Sequence, residues 1–356
     1  MQSSALRWLL YPAALLYGLI TKLRNLFYDW HIFKTAPMPV PVIAVGNITA
    51  GGTGKTPFVI ALSKFLSGEG YRIAIVTRGY RRQSKGSVVV SDGRQILATP
   101  QQAGDEPFLM AGKLPGVVII ADADRVAAAR IAIEKFACNL IIADDAFQHR
   151  RLARDINIVL WDPTTHSWQG HLLPVGRLRE AWRGLKRADY LVFSKTDKIS
   201  PEQQTFFEKY NPGMMFFTAP LKIVGLRTLS AENVSISTVT GKNLLAFCGL
   251  GNHAQFEATV QQLNCNQVIF QHFPDHHHYT ADDLQRLIIK AKQMNCDYLV
   301  TTEKDAVNLP PNARTITIPL LIIEIELELS NEIKAAILQK LPPLSNSVAG
   351  SQVNDN

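Results

Sequence analysis

A short strand followed by a glycine-rich loop and a helix constrains this chain more than any other feature. Residues 40–47, VPVIAVGN, form an apolar run of the kind expected for a buried parallel strand. The loop NITAGGTGKTPF spans residues 47–58, and the segment TPFVIALSKFLSGEG that overlaps its end has helical spacing and terminates in glycine. This order predicts a phosphate-binding loop of the P-loop type.

The loop departs from the standard pattern G-x-x-x-x-G-K-[ST] at one position, because Thr49 stands where the first glycine is expected. That glycine mainly sets the turn geometry, and Gly51 and Gly52 could supply the same freedom. Lys55 would reach the β- and γ-phosphates, and the Thr56 hydroxyl would bind Mg²⁺. The predicted nucleotide-binding residues are Thr49, Ala50, Gly51, Gly52, Thr53, Gly54, Lys55 and Thr56.

Further apolar segments alternate in part with helical stretches such as RVAAARIAIEKFA. Strands are predicted within residues 71–80, 116–125, 138–147, 156–162 and 188–197. This alternation predicts an α/β fold of the P-loop NTPase type, with a mostly parallel sheet and helices on both faces. Several of the strands end in Asp, Arg or Lys, and ligand crevices of open α/β sheets lie at the carboxyl ends of strands.

The sequence pattern changes after about Leu221, which predicts further segments. The chain has 356 residues, enough for one large domain and a smaller companion. Residues 31–222 would form the P-loop core, 223–242 a β-rich linker, 243–342 a smaller C-terminal α/β lobe and 343–356 a disordered tail.

The N-terminal segment, residues 1–30, is apolar but differs from a membrane-spanning helix. Its uncharged stretch, residues 8–20, is shorter than the roughly 20 apolar residues that a span needs, and Pro12 interrupts it. A helical stripe follows, formed by Leu15, Leu16, Leu19, Leu23, Leu26 and Phe27 and framed by aromatic and basic residues. Two interpretations stay open: a helix at the membrane–water interface, and a helix packed on the protein's own core.

Composition restricts the possible classes of binding partner less than the motifs do. A net charge of +7 favours anionic partners: nucleic acid, phospholipid surfaces or phosphorylated substrates. The basic runs TRGYRR, HRRLAR and GRLREAWRGLKR suit phosphate or anionic lipid, or a solvated basic face, and match no nucleic-acid-binding module. The cysteines, Cys138, Cys248, Cys265 and Cys296, form no CxxC pair, so we interpret them as reduced thiols without a structural zinc site.

An acidic pair ends one of the predicted strands. In LIIADDAFQHRRLARD, Asp144 and Asp145 follow a hydrophobic run, as a Walker-B strand requires. Adjacent residues of an extended backbone point to different sides. One carboxylate could therefore hold Mg²⁺ while the other positions a water, a side chain or the substrate; an acidic turn is the alternative.

Two other motifs offer acid–base groups. AGDEPFLM contains Asp105 and Glu106, although acids also suit a helix N-terminus. In HFPDHHHYT, Asp275 and His276 make a better acid–base pair than a metal site, because no further ligands stand at a recognisable spacing.

Two four-residue matches keep other functions open. SKTD (residues 194–197) and TEKD (residues 302–305) are similar to the guanine-reading N-K-x-D motif, although matches this short are common by chance. They support a regulatory or metal-delivery GTPase as the first alternative. A non-catalytic membrane adaptor that holds ATP as a structural ligand is the second.

The motifs VGNITAGGTGKTP, TRGY, GDEP, ADDAFQHRRLARD, LLPVGRLRE, FPDHH and TEKDAV occur in this order. Together they resemble the tetraacyldisaccharide 4'-kinase family of Gram-negative bacteria, from the N-terminal helix to about Leu309. The resemblance implies ATP and Mg²⁺, and transfer of the γ-phosphoryl group to the 4'-hydroxyl of an acylated glucosamine disaccharide 1-phosphate, which gives lipid IVA. It also implies a peripheral protein on the cytoplasmic face of the inner membrane. Neither nucleic acid nor an obligate protein partner is expected.

The resemblance also implies roles for individual residues. The catalytic residues would be Lys55, Asp105 and His276, with Asp105 and His276 as a dyad and His277 as the alternative histidine. The metal site would comprise Thr56, Glu106, Asp144 and Asp145. The substrate-binding residues would be Arg78, Gly79, Tyr80, Gln148, His149 and Arg179. Arg81 and Arg82 depart from the small residues usual after RGY, which leaves their role open.

Overall fold

The structure is a computed structural model that describes residues 4–164, 170–251, 253–275, 277–311, 313 and 316–343. Side chains are described from residue 8 onward within these ranges. The predicted catalytic His276 and residues 344–356 of the predicted tail lie outside the described residues.

Helices and strands alternate along most of the described chain. The α-helices are α1 (Ser4–Asp29), α2 (Lys55–Gly68), α3 (Pro100–Ala103), α4 (Asp105–Lys113), α5 (Arg125–Phe136), α6 (Pro201–Glu208), α7 (His253–Gln261), α8 (Ala281–Gln293), α9 (Glu303–Ala306) and α10 (Asn331–Lys340). The strands are β1 (Val42–Asn47), β2 (Ile73–Thr77), β3 (Val88–Asp92), β4 (Val118–Ala121), β5 (Leu140–Asp144), β6 (Ile156–Trp161), β7 (Tyr190–Ser194), β8 (Met215–Ala219), β9 (Leu221–Thr228), β10 (Asn233–Val234), β11 (Asn243–Cys248), β12 (Gln267–His272), β13 (Tyr298–Thr302) and β14 (Leu320–Leu327).

The first sheet has eight strands in the order β3-β4-β2-β5-β1-β6-β7-β8. Only the β3–β4 pair is antiparallel, so the predicted mostly parallel α/β sheet is confirmed. Strand β1 is buried on both faces: Ile43 and Val45 pack with α2, whereas Val42 and Ala44 pack with α5. Such double burial explains why these strands read as continuous apolar runs. The edge strands β3 and β8 were not predicted from the sequence.

The second sheet has six strands in the order β10-β9-β14-β13-β11-β12. Strands β11, β12, β13 and β14 are parallel, and β9 and β10 join them antiparallel. The segment 223–242, predicted as a β-rich linker, thus contains most of β9 and all of β10, and both are members of this sheet.

The end of the described chain returns to the first sheet. Ile333 and Ile337 of α10 lie in the same buried cluster as Phe58 and Leu62 of α2. The hydroxyl of Tyr190 also donates to the carbonyl of Ala336 at 2.8 Å. Residues 331–342 belong to the predicted C-terminal lobe. Their helix α10 packs on the P-loop core and so connects the two lobes.

Helix α1 runs through Pro12 and has two different faces. Its small and polar face lies on the protein: Ala14 and Thr21 are buried, and a side chain at Gly18 would clash with Leu172. The opposite face exposes Trp8, Leu9, Leu15, Leu16, Leu19, Ile20 and Leu23. The predicted apolar stripe therefore points largely away from the core. Across the described part of the chain, no helix combines the length and apolarity needed to cross a bilayer.

Candidate functional site

The glycine-rich loop has the geometry of a phosphate cradle, with its turns at two glycines. Gly51 (φ 121°) and Gly54 (φ 79°) adopt left-handed backbone conformations, whereas Gly52 and Thr49 do not. Thr49 is buried and pairs in an isolated antiparallel bridge with Leu178. The missing first glycine therefore stands at a position that does not require glycine. Helix α2 begins directly after Gly54, so its N-terminal N–H groups face the loop.

Side chains at the ends of β1 and β7 hold the glycine-rich loop in place. Asn47, at the end of β1, donates from Nδ2 to the Thr53 hydroxyl at 3.0 Å. The Ser194 hydroxyl donates to the Thr53 carbonyl at 2.8 Å, and Lys195 donates to the Gly52 carbonyl at 2.6 Å. SKTD thus supports the nucleotide loop through its first two residues. From the sequence alone, this motif is only a weak match to the guanine-reading motif.

Lys195 also joins the two sheets. Its ammonium group pairs with the buried Asp162 carboxylate and bonds to the Gln255 side chain of α7. Burial lowers the pKa of Lys195, while the Asp162 charge opposes that effect. No sequence motif identifies Asp162 or Gln255 as a site residue.

The acidic pair lies beside the loop, and its two members have different environments. Asp144 ends β5, and its Oδ2 accepts from the Thr77 hydroxyl at 2.9 Å. Asp145 has a left-handed backbone (φ 48°) instead of the extended one assumed from the sequence. Its Oδ1 lies 2.7 Å from Nη1 of Arg179 and 3.5 Å from Nζ of Lys55. The two carboxylates are thus directed to separate partners.

These environments separate the pKa values of the pair. Burial, reinforced by the Glu106 and Asp145 charges, raises the pKa of Asp144 to about 6. Burial would also raise the pKa of Asp145, but the Lys55 and Arg179 charges outweigh it and lower the value. Asp145 is therefore the more acidic member of the pair, and Asp144 the less acidic one.

The donor set fits a magnesium ion. Among the described residues, Oδ1 of Asp144 is buried without a hydrogen-bond partner, a costly arrangement for a carboxylate. Thr56 lies in the first turn of α2, and Glu106 is close enough to Asp144 to raise its pKa. Mg²⁺ prefers carboxylate and hydroxyl oxygen ligands, and a divalent ion would satisfy the orphaned oxygen.

Asp105 is placed by a contact between two glycine turns. It is the first residue of α4, after Gly104 (φ 91°). A Cβ on Gly104 would lie 2.9 Å from the Tyr80 carbonyl oxygen, and one on Gly79 would lie 2.5 Å from the Ala103 carbonyl oxygen. The TRGY and GDEP motifs therefore meet backbone to backbone, which only glycine permits. This contact sets Asp105 beside the loop that follows β2.

The same loop reaches the second lobe. Nη1 of Arg81 donates to the Asp275 carbonyl at 3.1 Å, and Nζ of Lys304 lies 3.4 Å from the Asp275 carboxylate. Arg82 instead turns inward and donates to the carbonyls of Ala121 and Gly86. The arginines whose role was open therefore have separate structural tasks: Arg81 bridges the lobes, and Arg82 braces its own loop.

His277 contacts Asp283 at the start of α8. Its Nε2 lies 3.0 Å from the Asp283 carboxylate, and its ring stacks on Phe273 at 4.7 Å between centroids. Burial would raise the pKa of Asp283, but hydrogen bonds from the Thr280 backbone and His277 lower it to about 2. His277 thus joins the cap of α8. Its neighbour His276, which lies outside the described residues, stays the predicted dyad histidine.

The predicted substrate residues fall into two groups. Arg78 and Tyr80 are exposed beside Gly79, at the carboxyl edge of the first sheet. Gln148 and Arg179 lie deeper: Nε2 of Gln148 donates to the Asn47 carbonyl at 2.9 Å, and Arg179 holds Asp145. Burial and nearby arginines lower the pKa of His149 to about 4, so its ring is neutral.

The basic run after the acidic pair serves the fold. Arg154 donates to the carbonyls of Ala146, Phe147, His149 and Leu152 and so clamps that loop. Burial lowers the pKa of Arg154 to about 10. Arg150 binds Asp29 at the end of α1, and Arg151 binds Asp124 at the start of α5. Each of these three arginines therefore has a partner within the fold.

Helix α1 is attached directly to the site. The Tyr17 hydroxyl donates to the Arg179 carbonyl at 2.7 Å, and Nδ2 of Asn25 donates to the buried Glu180 carboxylate at 2.9 Å. The backbone N–H of Ala50 in turn donates to the Arg177 carbonyl at 2.7 Å. The segment 177–180 is therefore held between α1 and the nucleotide loop.

The acidic residues of TEKD make structural contacts. Asp305 is buried and accepts from the Gly249 N–H at 2.8 Å and the Tyr279 hydroxyl at 2.9 Å. Glu303 pairs with Lys113 of α4 across the two lobes.

Comparisons with known proteins agree on one family. The family model described as "Tetraacyldisaccharide-1-P 4'-kinase" matches residues 6–342. A tetraacyldisaccharide 4'-kinase from Halothermothrix orenii is 40% identical over 308 residues, which cover 82% of this chain and 80% of that protein. One from Syntrophus aciditrophicus is 38% identical over 328 residues, 88% and 87% of the two chains. The crystal structure of LpxK from Aquifex aeolicus in complex with ATP has a TM-score of 0.75 and 32% identity, and the match covers 95% of this chain and 100% of that one.

Proposed function

Because the chain belongs to the tetraacyldisaccharide-1-P 4'-kinase family, we infer that it transfers the γ-phosphoryl group of ATP to the 4'-hydroxyl of a tetraacyldisaccharide 1-phosphate. The product is lipid IVA of lipid A biosynthesis. The observation that carries this conclusion is the family match over residues 6–342, which includes the nucleotide loop and the lobe that faces it. The GTPase alternative is not favoured, because the relatives are named kinases and SKTD braces the loop.

The nucleotide loop and its neighbours would bind the phosphates. Backbone N–H groups of residues 54–56, at the N-terminus of α2, attract phosphate oxygens, and Lys55 adds a positive charge. Thr56 and Asp144 would hold Mg²⁺, with Asp145 and Glu106 close by. When bound, the ion neutralises charge on the phosphates. Asp145 keeps Lys55 and Arg179 gathered at the loop.

We propose that Asp105 is the base that accepts the proton of the acceptor hydroxyl. A sugar hydroxyl is a weak nucleophile, so a base must accept its proton as the oxygen bonds to the γ-phosphorus and ADP leaves. His276 would tune Asp105 or relay that proton. The support is geometric: Gly79 and Gly104 fix Asp105 beside the RGY loop, and Arg81 of that loop holds the residue before His276.

The reaction is tested by incubating the full chain with γ-labelled ATP, Mg²⁺, detergent and a tetraacyl disaccharide 1-phosphate, with labelled GTP in a parallel tube. We expect label in the lipid from ATP. Free phosphate without labelled lipid, released faster from GTP, would favour the GTPase alternative.

The base assignment needs a separate test. General-base help is typically worth about 10²–10⁴-fold, so Asp105→Ala should lower turnover by that order while ATP affinity survives. Lys55→Ala should instead weaken ATP binding. Asp92→Ala, an acid in a surface turn of the same core, is the matched control. Near-normal turnover of Asp105→Ala would show that another group takes the proton.

We also propose that the protein works as a peripheral protein at the cytoplasmic face of the inner membrane, with α1 in the interface. The support is the exposed apolar face of α1 opposite a small and polar face that binds segment 177–180. An acylated substrate remains in the bilayer, so such a helix would bring the site to it.

The anchor is tested without removing the helix, because Tyr17 and Asn25 contact the site. Replacement of Leu16, Leu19 and Leu23 by Glu should reduce binding to vesicles and slow turnover of bilayer-embedded substrate, with less effect on detergent-dispersed substrate. The control replaces three exposed apolar residues elsewhere, Val224, Ile289 and Met294, by Glu. Equal vesicle binding by both triple variants would exclude the anchor.

A further inference from the structure

Three metal-ligating side chains that phosphoryl transfer does not use converge in the second lobe. Cys248 and His272 end the neighbouring parallel strands β11 and β12 and are register partners, so both side chains lie on the same face of the sheet. His253 begins α7, five residues after Cys248. Sγ of Cys248 lies 3.6 Å from Nδ1 of His253. The ring centroids of His253 and His272 are 4.4 Å apart. One donor atom from each residue lies within 4.8 Å of the other two.

We propose that Cys248, His253 and His272 bind one thiophilic divalent transition-metal ion, with Zn²⁺ as the best match to the donor set. One thiolate and two imidazoles suit zinc, which is held at about 2.3 Å by sulfur and 2.0–2.1 Å by nitrogen. A tetrahedral ion with those bonds separates its sulfur and nitrogen ligands by roughly 3.5 Å. The observed separation between Sγ and Nδ1 is 3.6 Å.

A carboxylate supports the third ligand. Glu257 stands one helical turn after His253 on α7, and its carboxylate lies 2.9 Å from Nε2 of His272. A neutral His272 ring that donates from Nε2 keeps its lone pair on Nδ1 for an ion. Metal-binding histidines commonly have such a carboxylate partner, which fixes the tautomer.

The exposure of the three side chains is also compatible with metal binding. Cys248 is buried, whereas His272 keeps 40% of its side chain exposed, so an ion can enter from solvent and keep a fourth position for water. Gln255, the partner of Lys195, lies two residues after His253 in α7.

The first test uses Co²⁺ as the probe. The full chain, stripped with a chelator and kept free of ATP and Mg²⁺, is titrated with Co²⁺. We expect one equivalent to bind with a thiolate-to-cobalt charge-transfer band that Zn²⁺ abolishes by displacement. Cys265→Ser, a partly exposed thiol of the same lobe, should keep the band, and Cys248→Ser should lose it. A wild-type titration without the band, or the same band in Cys248→Ser, would overturn the site.

A second set of variants avoids the buried cysteine. His272→Gln changes an exposed ligand and should weaken Zn²⁺ affinity at least tenfold, and Glu257→Gln should weaken it about 10–100-fold. Thermal unfolding gives an independent readout: Zn²⁺ should raise the midpoint of the wild type and of Cys265→Ser, but not of His272→Gln. Equal Zn²⁺ affinities of wild type and His272→Gln would show that the three residues are packed together without binding a metal.

Discussion

Arg81 and Asp275 join the two lobes at the candidate active site, through a 3.1 Å hydrogen bond from the guanidinium to the backbone carbonyl. Arg81 adopts a left-handed backbone (φ 60°), unusual for a residue with a side chain. The bond fixes the turn that precedes His276 relative to the loop beside Asp105.

Arg81→Gly should lower kcat while the Kd for ATP stays unchanged. Glycine relieves the positive φ, so a loss reports the missing hydrogen bond and not backbone strain. A bond of this kind is worth about 0.5–1.5 kcal/mol, roughly two- to tenfold in rate. Arg130→Ala on the exposed side of α5 is the control. Wild-type kcat in Arg81→Gly would mean that the lobes are aligned by other contacts.

Gly104→Ala should lower both the stability and kcat. Its Cβ would lie 2.9 Å from the Tyr80 carbonyl oxygen, and its φ of 91° disfavours any side chain. The strain must displace Asp105, the next residue. Gly112→Ala in the same helix is the matched control, because its Cβ meets no described atom within 4 Å. That change should stabilise the helix by up to about 1 kcal/mol. Urea unfolding and turnover measurements should show a loss of stability and of kcat in Gly104→Ala but not in Gly112→Ala.

Asp144→Asn should stabilise the protein without ATP and Mg²⁺. The pKa of Asp144 is raised to about 6, so the folded state binds more protons than the unfolded state between about pH 4 and 6. Stability therefore falls as pH rises through this window, by an amount on the order of 3 kcal/mol. Asparagine removes the buried charge and can still accept from Thr77. Chemical denaturation at pH 4, 5, 6 and 7 should show a flatter pH dependence in the variant.

The affinity for Mg²⁺ should change with pH in the opposite direction. A protonated Asp144 cannot ligate the ion, so the Mg²⁺ concentration needed for half-maximal turnover should rise as pH falls through about 6. Asp144→Asn should lose Mg²⁺-dependent turnover at every pH. A Mg²⁺ requirement that is constant between pH 5 and 8 would exclude Asp144 as a ligand.

Lys195→Met should destabilise the protein by about 3–5 kcal/mol, because it leaves the buried Asp162 carboxylate without its partner. It should also raise the KM for ATP, since the Gly52 carbonyl loses its support. Adding Asp162→Asn should recover much of the stability but not the KM. Lys198→Met, an exposed lysine of the same loop, is the control. A destabilised Lys195→Met with an unchanged KM would limit Lys195 to a structural role.

The parallel strands, the nucleotide loop and the family can all be predicted from local sequence. These features rest on local patterns: apolar runs of strand length, glycines before a helix, and acids at strand ends. The six predicted strands became β1, β2, β4, β5, β6 and β7. The edge strands β3 and β8 were missed because an edge strand is less buried and its pattern is weaker.

Which residues act together depends on contacts between segments that are distant in the chain. Burial separates the pKa values of Asp144 and Asp145, although the sequence presents them as equivalent neighbours. SKTD became a support of the nucleotide loop because β7 ends beneath it, and Cys248 met His272 because β11 and β12 are aligned in register. Desolvation and contacts between distant segments depend on the packed fold, so no local pattern records them.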